Sequence, residues 1–257
     1  MIDDKRPVEE MRIENAQNLT DAAVYASRHF DGRSVWWRGH SLSSWALHPS
    51  VYRVEDRGYN YEQNIAGRFI QGARMRHQNT PSETDIPGWF FLMQHYGLPT
   101  RVLDWTESIL FATYFAVRDE KYHDEDGALW ALDGTYLNED QFDRHAFAGV
   151  GDSPVSTLFR EALRGTEGEP TTVVAAISSR HVDMRMMVQL AQFTIHGTAD
   201  PIEKLPNNEK FLAKMIVPSS AKKSLKAVLG LFGISEATLF PDLEHLAKEV
   251  RGLRFKA

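Results

Sequence analysis

Apolar positions along the chain fall into two kinds of pattern: short continuous runs, and stripes spaced three or four apart. Val35-Trp36-Trp37 is a bulky continuous run closed by Arg38-Gly39, which predicts a short buried strand over Ser34–Arg38. Gly127–Asp133, Thr171–Ile177, Phe193–His196 and Lys214–Val217 read as further strands. Helical stripes begin at Asn18–Phe30, with Leu19-Thr20-Asp21 as its cap and Asp31-Gly32 as its stop. Glu62–Met75 presents Ile65, Phe69 and Ala73 on one face. Asp85 caps a third helix with Pro87 in its first turn; it carries Trp89, Phe90, Leu92 and Met93 and stops at Gly97. Leu98-Pro99-Thr100 is extended or turned, because proline biases its predecessor away from helix. Val102-Leu103 reads as a very short strand. Asp104-Trp105-Thr106-Glu107 then fits a capping box that opens a helix over Glu107–Val117. Ser219–Leu231, closed by Gly233, and Pro241–Arg251 are the last helices. Val150–Pro170 is polar and glycine-rich around a short helix, which predicts a mobile insertion. Strands and helices mix without strict βαβ alternation. The expected class is therefore α+β, a mixed or antiparallel sheet core with surrounding helices. Residues 1–17 form a polar N-terminal segment, and 18–257 read as a single domain with no visible internal boundary.

Composition narrows the functional classes. The chain has 257 residues, 42% of them hydrophobic and 11% aromatic, enough for a core without staples. The absence of cysteine removes disulfides, thiolate metal sites and cysteine nucleophiles, and fits a reducing, cytoplasmic setting. No apolar leader precedes the first element, and no run approaches the roughly 18 apolar residues of a membrane span. A formal charge of −6 argues against sequence-blind nucleic-acid binding. Arg68, Arg74, Arg76 and His77 fall close together and leave a local basic groove open. Ten histidines are scattered without metal-ligand spacing, so no metal site is expected. The P-loop, the dinucleotide-binding glycine fingerprint, the nucleophile elbow and HExxH are all missing.

The densest candidate chemistry lies in Gln94–Ala116, QHYGLPTRVLDWTESILFATYFA. Arg38, ending an apolar strand, places a fork of donors at a sheet rim, suited either to a phosphate or to a structural carboxylate. Gly39 allows a ligand or another backbone to come close. Asp104 and Thr106 sit where a loop enters a helix, a place for an anion or for simple capping. Arg101 can pair with Asp104 or with Glu107. His95 and Tyr96 end the preceding helix and are candidates to reach a ligand, although a histidine in a last turn is also favoured by the helix dipole. Gln189, Gln192 and Thr194 lie near the entry to a buried strand, where a glutamine amide can bond a ribose hydroxyl or neighbouring backbone.

WWRGH at Trp36–His40 and the Gln94–Ala116 block resemble the two signature segments of the FRG domain family. Trp37 stands where the family has phenylalanine or tyrosine, and His40 where it usually has glutamine. WALHPSVYR at Trp45–Arg53, GALWAL, RMMVQLAQFTIHG and TLFPDLEHLA extend the resemblance over roughly residues 20–250. The order of these motifs is also similar to the ADP-ribosyltransferase-like folds. That similarity implies NAD as cofactor, with Arg38 on the diphosphate or ribose, Thr106 near the nicotinamide ribose, and Gln189 or Gln192 as the late residue on the ribose hydroxyl. On this implication Arg38, Thr106 and Gln189 are the catalytic set, and Arg38, Gly39, His95, Tyr96, Arg101, Asp104 and Thr106 line the cofactor site. A glutamine there orients but cannot act as a general base. The family context implies a bacterial toxin or phage-defence effector, either an ADP-ribosyltransferase or an NAD glycohydrolase, with a macromolecular acceptor in the first case. The alternative is a catalytically silent module that recognises a nucleotide or a protein partner.

Overall fold

The computed structural model describes residues 11–55, 60–166, 168–178 and 184–252. In chain order the elements are α1 (Ala16–His29), β1 (Val35–His40), α2 (Tyr61–Ala73), α3 (Ile86–His95), β2 (Val102–Thr106), α4 (Ile109–Val117), β3 (Gly127–Asp133) and α5 (Gly134–Phe142). They continue with β4 (Ala148–Gly149), α6 (Val155–Arg164), β5 (Val174–Ser178), α7 (Met184–Val188), β6 (Ala191–His196), β7 (Leu212–Val217), α8 (Ser219–Leu231), α9 (Glu236–Leu239) and α10 (Leu243–Gly252). The seven strands form one sheet in the order β4-β5-β6-β2-β1-β3-β7. Every pairing is antiparallel except β4 with β5, so the fold is α+β with a mixed sheet.

Side-chain alternation divides the sheet into two buried faces. Trp36, Leu103, Trp105, Trp130, Leu132 and Ala176 point to one face, covered by Leu137 of α5 and by Ile202, Leu205 and Phe211. On the other face, Trp37, Leu129, Ala131 and Met215 pack under α1, α4 and α8. Val102, Ala175, Phe193 and Ile195 pack on that same face under α2, α3 and α6. Two helical clusters thus share one side of the sheet, and the central strands β1 and β2 run between them.

That centre is where the ladder is weakest. β1 pairs with β3 along its whole length, from Val35 opposite Asp133 to His40 opposite Ala128. β2 pairs with β6 along its whole length too, from Val102 opposite Ile195 to Thr106 opposite Ala191. β1 and β2 themselves meet at a single pair, Trp37 opposite Thr106. Beyond it the sheet opens.

Several boundaries differ from the sequence reading. β2 runs on through Thr106, and α4 starts at Ile109 with the Ser108 hydroxyl accepting the Phe111 N–H at 3.3 Å. Asp104 is therefore a strand residue and not a helix cap. α1 is capped earlier than expected, by Asn15, whose side chain accepts the Asn18 N–H. The stretch read as a mobile insertion contains α6, whose Val155, Leu158, Phe159 and Ala162 are buried in the core. Asp85 and Pro87 open α3 as predicted, and Gly97 and Gly233 follow their helices with positive φ.

Candidate functional site

A cleft of about 580 Å³ opens where β1 and β2 part. Its first wall is α4, which lies directly on β1. A Cβ built on Gly39 would stand 1.8 Å from the Ala112 carbonyl oxygen, so it is the helix backbone that approaches this glycine closely. The opposite wall comes from the end of α3, with Gln94 and His95, and from α7 and its exit, with Arg185, Met186 and Gln189. Trp45, Ala46, His48 and Arg53, from the chain after β1, complete the rim.

Arg38 bridges the split. Its Nη1 donates to the backbone carbonyl of Asp104, a group that β1 would have bonded had the ladder continued. Its Nε donates to His40 Nε2 at 3.0 Å, and His40 Nδ1 in turn donates to the Trp45 carbonyl at 3.2 Å. Those two bonds fix the neutral tautomer of His40. Burial, and then the Arg38 charge, push the imidazole down to about 2. Burial also lowers Arg38 to about 10, against the Asp104 carboxylate, which raises it; the guanidinium stays charged at neutral pH.

The Asp104 carboxylate is exposed to the cleft, and its Oδ2 accepts the Gln94 amide N–H at 2.8 Å. Gln94 is set by Thr100, whose hydroxyl donates to Gln94 Oε1. Arg53 faces Asp104 electrostatically; its exposed guanidinium makes no hydrogen bond to the described residues. Arg38, Arg53, Arg118 and Arg185 line the cleft against Asp104 and Asp119, which makes it cationic in a chain of net charge −6. No glutamate lines it among the described residues. Trp45, 38% exposed, stands at the rim with its ring edge-on to Tyr122, centroids 5.2 Å apart.

The sequence-predicted residues separate into three groups. Arg38, Gly39, His95, Asp104, Thr106 and Gln189 come together at the cleft. Within it Thr106 is buried, and its hydroxyl donates to the Gln189 carbonyl at 2.7 Å and accepts the Ser108 N–H at 3.1 Å. The Gln189 amide donates away from the cleft, to the Leu239 carbonyl at 2.8 Å. These two residues tie β2, α7 and α9 together. Tyr96 is 54% exposed and outside the lining, packed near Phe69 and His77. Arg101 and Gln192 are elsewhere. Arg101 neither pairs with Asp104 nor with Glu107: it forms a two-pronged ion pair with Glu62, at 3.0 and 2.8 Å, beneath α2. Gln192 lies opposite Trp105 in the ladder, on the other side of β6 from Phe193, and donates to Glu107 at 2.8 Å. In the basic run at the end of α2, Arg74 pairs with Glu83 at 3.0 Å, and Arg76 donates to the Gly72 carbonyl.

Sequence reasoning missed Gln94, Trp45, Arg53 and Arg118 as cleft residues. Gln94, Trp45 and Arg53 lie inside the motif stretches quoted above, so position in a motif was the available signal. Arg118 had none. Among the described residues no group of three or more histidines and acids is placed to hold a metal ion, and no helix is long and apolar enough to cross a membrane.

Residues 33–125 match the family model of the FRG domain. The matched stretch includes Arg38, Trp45, Arg53, Gln94, Asp104 and Thr106, and ends before α7 and β6. No curated protein and no solved structure matches the chain.

Proposed function

Taking residues 33–125 as an FRG domain, we propose that its cleft binds a dinucleotide of the NAD class and cleaves the bond between nicotinamide and ribose, with Asp104 as the carboxylate beside the reacting sugar. The observation that carries this reading is an exposed carboxylate set among arginines at the split of the sheet. Arginine forks suit a diphosphate, and Arg53 is the arm with its donors open. Trp45 offers a flat aromatic face for a base.

The chemistry follows from charge. Nicotinamide departs as a neutral base with the bonding electron pair, leaving positive charge on the sugar at C1′. A carboxylate fixed by Gln94 stabilises that charge. Water, or a nucleophile on an acceptor, then bonds to C1′, and its proton passes to Asp104 or to solvent. Thr106 and Gln189 hold the floor and the α7 wall in register; this replaces the direct catalytic roles expected for them. The late glutamine has no carboxylate to offer and its amide is already bonded to Leu239.

That same absence of a cleft glutamate supports the second reading, a module that binds a nucleotide without turning it over. Calorimetric titration of NAD and ADP-ribose into the full chain tests the binding. Both ligands are expected to bind, and Arg53→Ala is expected to weaken binding by about 10-fold or more, as for a lost charge-assisted contact. Binding without release of nicotinamide selects the second reading. Absence of binding by either ligand overturns both.

A further inference from the structure

The C-terminal helix α10 is exposed along nearly its whole length, with only His245 half-buried. It is tied to the α9 turn: His245 stacks on the Phe240 ring with centroids 4.7 Å apart, Lys248 pairs with Glu236 at 2.8 Å, and Glu249 accepts the Ser235 hydroxyl at 2.8 Å. Its apolar residues point to solvent. Leu243 is 82% exposed, Leu246 49% and Val250 51%, a spacing of three and then four that makes one continuous stripe. At the end of α8, Leu231 is 86% and Phe232 57% exposed, and the Ser235 hydroxyl shortly after it bonds Glu249 of α10. An amphipathic helix normally buries its apolar stripe and exposes its charges. Here the charges and the stripe are both exposed, and Leu243, Leu246 and Val250 share one face of the helix.

We infer that this face is a dimer interface between two copies of the chain, with the α10 helices packed antiparallel about a twofold axis. The charges select this occupant. Glu244 and Arg251 are both exposed and lie on the same flank of the stripe, two helical turns apart, the acid at the N-terminal end and the base at the C-terminal end. An antiparallel pairing sets each Glu244 against Arg251 of the other copy, and each Leu243 near Val250 of the other copy. The surface is thus complementary to itself, as an isologous interface requires. An anionic lipid surface would gain from Arg251 but be opposed by Glu244. α10 connects to the cleft walls through Phe240. Phe240, on which His245 lies, is held between the guanidinium groups of the cleft residues Arg118 and Arg185, 5.2 and 4.5 Å from its ring centre.

Sedimentation equilibrium on the full chain tests the inference. The chain is expected to be a concentration-dependent dimer, and Leu246→Asp to weaken association by about 30-fold or more, as for a central apolar anchor. Leu246 contributes nothing to the core, so the variant's melting temperature at dilution serves as the control for folding. Glu244→Arg and Arg251→Glu are each expected to weaken the dimer, and the double exchange to restore it. A chain that stays monomeric to high concentration overturns the proposal, and does so in favour of a lipid surface if it also binds anionic phospholipid vesicles. A dimer indifferent to Leu246→Asp, or single reversals that the double exchange does not rescue, overturns it as well.

Discussion

Gly39 shows how much one residue can decide. The α4 backbone lies where a side chain would begin, and backbone cannot move aside as a flexible side chain can. Gly39→Ala is therefore expected to cost stability at the upper end of about 1–3 kcal/mol, read from the urea midpoint. Two buried histidines set a second expectation. Burial first, and then Arg38, holds His40 down to about 2; burial first, and then His48, holds His196 down to about 3. Both are neutral in the folded protein over the range where an unfolded histidine, near 6.5, takes up a proton. Below pH about 6.5 the unfolded chain binds protons that the folded chain refuses, so stability falls as pH falls. Each histidine is expected to contribute a loss of about 2 kcal/mol between pH 7 and pH 5. Urea titrations at the two pH values check this, and His196→Asn should remove part of the dependence. An unchanged dependence in that variant would mean that carboxylates alone produce it.

At the scale of elements, the turn from β2 into α4 separates what the sequence disclosed from what it hid. Asp104 to Glu107 fits a capping box, yet Ser108 also precedes an apolar run. Local pattern could not choose between them. The choice is made by β6, whose Gln192 and Ala191 pair with Trp105 and Thr106 and draw the strand two residues further. Ser108→Ala is accordingly expected to lower stability by about 1 kcal/mol, the cost of a lost cap. Asp104→Asn, with neither a cap nor an Arg101 partner to lose, is expected to change it by less than about 1 kcal/mol. Thermal melts of both variants distinguish the assignments, and the reverse order would restore Asp104 to the cap. Strands such as Val35–Trp37 and Gly127–Asp133 were legible from their apolar positions, a continuous run in the first and an alternation in the second. Their order across the sheet was not legible, since pairing β6 beside β2 joins residues almost ninety positions apart. α5 escaped because GTYLNEDQF has no apolar stripe; Asp133 caps it through the Thr135 and Tyr136 N–H groups. The convergence of Arg38 with Asp104 was legible in the motifs, whereas the pairing of Arg101 with Glu62 depends on where α2 lies.

Across the whole molecule, an acidic chain gathers four arginines around one split in its sheet and sets the exposed Asp104 carboxylate among them. The split exists because β1 and β2 share a single pair, and the helices on that face divide into two clusters on either side of it. The C-terminal segment joins this arrangement through Phe240, between Arg118 and Arg185, and through the Leu239 carbonyl, which accepts the Gln189 amide. The central claim is that the Asp104 carboxylate acts on a bound dinucleotide. Chromatographic measurement of nicotinamide released from NAD, by the full chain and by Asp104→Asn, tests it most directly. Release by the native chain is expected, with a loss of at least about 100-fold in Asp104→Asn, the scale of losing one electrostatic stabiliser of a transition state, and with NAD affinity retained. Release at an undiminished rate from Asp104→Asn would contradict it.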